Sequence, residues 1–454
     1  MRSFGASGGR IAKASPVAIA GVPGLCGRRR LAAAGCLWAL LGGGGALAQS
    51  ERTPRAGEAY TGTLFGEPVA VPARDRTTLT EISLAVQWIP DGPQKRVLVP
   101  EGGLFLWRNR DGGDSRVRAV LLGIANDVRY DRRIVAGSVW EVVGTFENVT
   151  LPFARSEYIE SERIASEELK RSFVRAGFGF GYRRALAPGH QDNFLEAALT
   201  YEPGYLFFGR GGDTASSFLL PRDTYEGRFH LRLRADAFDR NILELPHRGW
   251  AAGLDAWAVR RARWEDWGGS VFGIQRGEES RGWQAVAAYA AAAVGVPGVP
   301  GERHTLLASA YGGTGHDLDR FSAFRLGGGS NAGDFETLSE PVLPAAAFEE
   351  FFPSHYAIAN LEYRYQALFF LYLQVRGSLA WLDRPRFSPE GSVQNRTDSL
   401  RSVTAGLTSG LPWDSSLEIS YSYNFGILRQ RNGAAKSGGG ALYFSWTKEF
   451  RRRL

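Results

Sequence analysis

A serine set among glycines, in Gly328-Gly329-Ser330-Asn331-Ala332, comes within one residue of the nucleophile elbow of hydrolases. That elbow needs a strand, a sharp turn and a helix to expose its serine beside a base. The segment here reads as a glycine-rich loop, and no catalytic role is expected of Ser330. The six histidines, His190, His230, His247, His304, His316 and His355, have no spacing that would converge on a metal, so neither metal nor cofactor is expected. His316 with Asp317 and Asp319 reads as a charged, solvated loop tip. Spacing does carry meaning at Arg228, Arg232 and Arg234, which with His230 recur at steps of two and so put four basic groups on one face of a strand.

Four such groups would be costly in a protein core and are natural in a water-filled barrel lumen. On the opposite face stand Phe229, Leu231, Leu233, Ala235 and Ala237. The same alternation sets Leu417, Ile419, Tyr421, Tyr423 and Phe425 against Ser416, Glu418, Ser420, Ser422 and Asn424. It recurs from Val174 to Tyr182, from Leu371 to Trp381, and through Leu442, Phe444, Trp446 and Phe450 at the C-terminus. Strand ends carry Trp and Tyr, as an interfacial girdle requires. A soluble β-sandwich also alternates, but its strands usually run about 5–6 residues. The segments here run about ten or longer, the length of a tilted membrane strand. The chain therefore reads as all-β, a transmembrane antiparallel β-barrel of about 16 strands.

The first fifty residues set the compartment. Arg28, Arg29 and Arg30 precede the apolar run from Leu31 to Leu41, and Ala46-Leu47-Ala48 follows, the order of a cleavable secretory signal. Residues 1–48 are expected to be removed. A rival lipoprotein box, Ala33-Ala34-Gly35-Cys36, has most of the apolar run after its cysteine instead of before it. After residue 48 no stretch reaches the roughly 18 apolar residues of a membrane helix, so a membrane-spanning chain must close as a barrel. The formal charge of +7 includes six basic residues before Ala48 and no acid there, which leaves +1 beyond it. That removes the electrostatic case for a nucleic-acid partner. Cys26 and Cys36 both fall within the signal, so no disulfide or thiolate site is expected beyond it.

Strands are expected at 79–89, 101–110, 116–129, 136–149, 171–186, 193–201, 205–219 and 226–238 before Pro246. After it they are expected at 249–262, 281–293, 303–313, 355–366, 369–383, 399–410, 415–426 and 438–450. Glu202-Pro203-Gly204, Pro412 and Asn432-Gly433 supply turn chemistry between runs. Residues 49–75 are expected to be a flexible lead-in to a barrel of residues 76–454, and residues 314–354 a long loop that folds inward or caps the mouth.

Three stretches stand out together: Asp236 to Asn241 followed by Leu245-Pro246-His247-Arg248-Gly249-Trp250; Phe324-Arg325-Leu326-Gly327-Gly328-Gly329, with Asp334 and Phe335; and Asn360 to Tyr365 with Trp381-Leu382-Asp383. They resemble, in turn, the turn between strands eight and nine, the approach to the sixth loop and the next two strands of the bacterial surface-antigen superfamily, the BamA/TamA-like outer-membrane assembly factors and their two-partner-secretion relatives. The resemblance covers about half the chain and includes none of the family's POTRA repeats. It implies Glu362 and Asp383 as acidic lumen partners of a loop arginine, yet Gly333 stands where that arginine belongs. It also implies an assembly signal in the last strand, here Phe444, Trp446 and Phe450, with Arg451-Arg452-Arg453-Leu454 trailing it.

From these residues we expect a bacterial outer-membrane barrel that performs no catalysis. The resemblance implies insertase-like or translocase-like work in outer-membrane protein or lipid assembly. Its surroundings would be outer-membrane lipid and lipopolysaccharide, and a periplasmic client would be brought by a separate delivery protein. A passive pore for small polar solutes is the alternative that the lumen alone implies. Arg228, Arg232 and Arg234 are expected to face Glu362 and Asp383 across the lumen.

Overall fold

The computed structural model describes residues 52–64, 66–92, 97–186, 193–330, 338–390, 392–431 and 434–450. The signal segment, Asp334 and Phe335 lie outside them. Sixteen antiparallel strands close on themselves. In chain order they are β1 Thr78–Ile89, β2 Val97–Arg110, β3 Ser115–Leu121, β4 Ala125–Arg133, β5 Trp140–Val149, β6 Glu162–Ala185, β7 Phe194–Arg210 and β8 Thr224–Asp236, then β9 Pro246–Arg261, β10 Gly282–Gly295, β11 His304–His316, β12 His355–Leu368, β13 Leu371–Phe387, β14 Val393–Leu411, β15 Ser415–Arg431 and β16 Ala434–Glu449. Tyr60–Leu64 and Glu67–Val71 form a separate two-stranded sheet.

Alternation decides which way each side chain points. Phe178, Phe180, Leu199 and Phe229 are exposed on the outside, while Arg175, Arg183, Glu196 and Glu202 are buried inside. A soluble protein does the reverse. Rings outside and charges inside make this a transmembrane barrel of the outer-membrane type. Closure also pairs the backbone groups that a sheet edge would leave open to lipid.

The expected number of strands is found, although two of the expected boundaries are not. The single strand expected at 116–129 is two, β3 and β4. They meet in a reversal where Leu122 N donates to Ala125 O (2.9 Å) and Gly123 takes a φ of +78°. Leu122 and Ile124 flank that glycine and keep the apolar pattern running through the turn. Conversely, the two strands expected at 193–201 and 205–219 are one, β7, which runs straight through Glu202-Pro203-Gly204. Proline brings no N–H to a ladder, and the register with β6 lapses at residues 202 and 203 while Pro203 stays opposite Gly227 of β8.

The connections fall at the two ends of the barrel, and the four longest share one end. At one end they are short, down to residues 369–370 between β12 and β13. At the other, residues 317–354 join β11 to β12. These are called here the turn end and the loop end; in outer-membrane barrels the short turns face the periplasm.

Candidate functional site

The described residues of the loop, 317–330 and 338–354, enter the barrel. Its first turn is pinned at the rim: Asp319 Oδ2 accepts from Arg261 Nη1 (2.6 Å), Arg320 Nη1 donates to Glu167 (3.1 Å) and Arg325 Nη1 donates to Glu157 (2.9 Å). Burial alone would raise the Asp319 carboxyl, but the Arg261 guanidinium and the Ser322 hydrogen bonds outweigh it and hold it below the ordinary value. Above them Trp267 stacks on Phe321 with ring centroids 4.1 Å apart, in a cluster with Leu169, Phe218 and Trp264.

Deeper in, the loop doubles back on itself. Leu326 and Phe351 exchange backbone hydrogen bonds (2.9 and 3.0 Å), and Leu343 N donates to Gly327 O (2.8 Å). The barrel wall meets this backbone with polar side chains: Gln87 of β1 donates to Ala346 O (2.9 Å), Tyr311 of β11 to Leu338 O (3.0 Å) and Asn424 of β15 to Pro344 O (3.2 Å). An apolar seat receives Leu326, Leu343, Ala346 and Phe351, built from Tyr356 and Ile358 of β12, Ala380 and Leu382 of β13, Leu400 of β14 and Ile427 of β15.

A buried pair fastens the returning half of the loop. Arg429 of β15 grips Glu350 of the loop with both terminal nitrogens, at 2.5 and 2.9 Å, and also donates to Ala345 O (2.8 Å). Glu350 accepts in turn from Ala347 N (2.8 Å). Two-pronged, charge-assisted bonds of this kind are both strong and directional. Here the wall supplies the arginine and the loop the acid. Sequence reasoning missed both residues. Arg429 follows a bulge between Asn424 and Leu428 that shifts the pairing register, and the alternation legible up to Phe425 no longer predicts its direction.

The site residues expected from sequence fall in several places. Gly327 and Gly328 lie inside the lumen, where a Cβ on Gly327 would sit 2.3 Å from Glu349 N and one on Gly328 2.0 Å from Gln87 Nε2. Close approach explains these two glycines, whereas Gly329 has no such constraint. Ser330 donates its Oγ to Glu418 of β15 (2.6 Å). Among the described residues Glu362 pairs with the wall and not with the loop: it is buried between Arg364 (2.5 Å) and Arg376 (2.6 Å), and Arg364 donates to Pro246 O near the turn end (2.9 Å). Asp383 accepts from Ser354 N and His355 N (3.2 and 2.6 Å), where the loop rejoins the wall.

Arg228, Arg232 and Arg234 do point inward, but the expected pairing across the lumen is not made. Arg228 pairs with Glu147 (3.0 Å) and Glu202, Arg232 lies 3.8 Å from Glu196, and Arg234 pairs with Asp255 (2.5 Å). These acids sit on β5, β7 and β9, within reach along the same stretch of wall. A buried guanidinium is drawn to its nearest acid, and the neighbouring strands supply one without crossing the lumen; Arg232, at 3.8 Å, makes the loosest of these pairs. Phe444, Trp446 and Phe450 share the outer face at the last strand, and Phe450 N donates to Thr80 O of β1 (2.7 Å).

The turn end carries contacts between the N-terminal segment, the turn after β8 and several strands. The expected flexible lead-in is instead docked along its described barrel-facing part. Arg55 pairs with Asp239 (2.7 Å) and Glu302 (3.1 Å), Ala56 N donates to Arg240 O (3.0 Å) and Ile242 N donates to Pro54 O (3.0 Å). Arg74 bridges Glu244, in the turn after β8, and Glu449, in the last strand; Arg76 also reaches Glu244 (2.6 Å). Leu243 and Leu245 of that turn pack against Tyr372 of β13.

Closure of the sheet itself is uneven. The first and last strands pair over eight residues, Glu81–Trp88 against Leu442–Glu449. Ala434–Ala441 extend past this ladder, and among the described residues no strand pairs with them on the β1 side. β3 is also short, yet it is paired along its whole length.

Among solved structures, the chain is similar over 88% of its length to BamA from Haemophilus ducreyi lacking POTRA domains 1–3, at 10% identity, 76% of that chain and a TM-score of 0.48. It is similar over the same share to CdiB from Acinetobacter baumannii (9% identity, 66% of that chain, TM-score 0.46) and to CdiB from Escherichia coli (13%, 68%, 0.44). The likeness is one of fold. No family model matches the chain, and no curated protein matches it.

Proposed function

We propose that the barrel works in outer-membrane protein or lipid assembly or transport, without catalysis, by opening between β16 and β1 and not by conducting through its lumen. The observation that carries this reading is the eight-residue ladder between two longer strands, with no strand beside Ala434–Ala441 on the β1 side among the described residues. An open edge offers backbone groups to an incoming strand, and a barrel that must part needs its weakest closure there. The filled lumen supports the same reading, because loop, turn and N-terminal segment occupy the route a solute would take. In this reading the client arrives from the periplasm on a separate delivery protein and leaves into a bilayer of lipid and lipopolysaccharide.

The passive-pore alternative has less to rest on, since it requires the loop to leave an extensive apolar seat. A seam lock separates the two. Ser83 and Thr447 face each other across the ladder with their hydroxyls 3.3 Å apart, and residues 49–454 contain no cysteine. The double variant Ser83→Cys/Thr447→Cys, oxidised, is expected to lose client insertion into proteoliposomes and to regain it on reduction. Equal activity in both redox states would reject the seam.

A further inference from the structure

The outer wall carries a groove between β7 and β11 at the loop end, with a volume of about 1070 Å³. Register shapes its floor. Arg260 of β9 stands opposite Gly227 of β8 on one side and Gly282 of β10 on the other, so neither neighbour raises a side chain beside it. One row nearer the membrane middle, Ala258 separates Phe229 from Gln284, and Ala256 follows below it. Tyr201 and Tyr225 join their hydroxyls at 2.7 Å along one wall.

Two exposed guanidiniums stand at the head of this channel. Arg281 is braced by the backbone, donating Nε to Arg261 O (3.2 Å) and Nη2 to Ala262 O (2.8 Å). Arg260 is the penultimate residue of β9, which places it near headgroup depth. Among the described residues neither arginine forms an ion pair. The nearby acid at the margin, Asp317, is engaged by His316 (2.9 Å).

We propose that this groove binds an acyl lipid bearing headgroup phosphate from the leaflet at the loop end. The phosphate lies between Arg260 and Arg281, and one acyl chain runs down over Ala258 and Ala256. A shallow channel of small residues gives the chain a seat, an aromatic wall flanks it on the β7–β8 side, and two unpaired cations complement the headgroup. A second copy of the barrel is disfavoured as occupant, because a two-fold contact through this face would set the same arginines against each other. The inference depends on the membrane placement of the barrel and not on what passes the seam.

The test is native mass spectrometry of the full chain in dodecyl maltoside micelles, titrated with diphosphoryl lipid A. Arg260→Glu/Arg281→Glu is expected to weaken binding at least about tenfold, and Ala258→Trp to weaken it by filling the channel with the charges intact. Arg222→Glu, an exposed loop-end arginine paired with Glu265, is expected to change it little. Dephosphorylated lipid A and inorganic phosphate alone are each expected to bind far more weakly. The proposal is overturned if the double variant binds unchanged, if Arg222→Glu loses as much, or if either of those two probes matches diphosphoryl lipid A. It is equally overturned if the chain proves to be a dimer that Ala258→Trp separates.

Discussion

Glu350 and Arg429 form the contact on which the state of the lumen turns. Removing one partner of a buried pair leaves an uncompensated charge, at a cost of about 3–5 kcal/mol, while removing both spares most of that penalty. Glu350→Ala is therefore expected to release the loop, seen as faster protease cleavage within residues 317–354 in micelles. Glu350→Ala/Arg429→Ala is expected to be less affected than the single variant, and protection unchanged in Glu350→Ala would remove the pair from the account. Much of the lumen was legible at this scale. Arg228, Arg232 and Arg234 could be assigned an inward face from spacing alone, because alternation needs no partner. Their acids could not be chosen, because that choice depends on register, which a single strand does not encode. Gly327 and Gly328 stood out as a motif, but the reason for them, the approach of Gln87 and of the returning loop backbone, is a tertiary fact.

Elements show the same division. Long amphipathic strands such as β8 and β15 announced themselves, since ten residues of alternation have few other readings. Leu122-Gly123-Ile124 and Glu202-Pro203-Gly204 were each misread, because a turn flanked by apolar residues keeps the alternation while a proline inside a strand imitates a turn. β6 carries a less obvious device: Gly177, Gly179 and Gly181 alternate along its lumen face, and Glu202 and Glu141 lie over the first and last of them. A Cβ on Gly179 would meet Leu199 O of β7 at 2.0 Å. Gly179→Ala is expected to force β6 and β7 apart and cost about 1–3 kcal/mol. The measurement is the loss of heat-modifiable migration at lower temperature on gels; an unshifted transition would mean that the strands can yield without penalty.

For the whole molecule, the physical picture is a barrel whose inside is occupied. Many of the wall's charges pair with one another or with the loop, and the loop-end half of β12 to β15 turns apolar side chains inward to receive it. In those strands Ile358, Leu382, Leu400 and Ile427 break the polar rule of the lumen, and that departure was the sequence signal for a filled interior. At the turn end, Arg55 and Arg74 tie the N-terminal segment beneath the barrel, with Arg74 reaching the last strand at Glu449. Under the function proposed above, the element that would part is the seam, where strand pairing stops short, and not the occupied lumen.

The most direct measurement is single-channel conductance of the chain in planar bilayers, with and without residues 317–354. The account predicts a closed or briefly flickering channel in the intact protein and steady, large conductance after the deletion. Steady, large conductance in the intact protein would contradict it and make the barrel a passive pore.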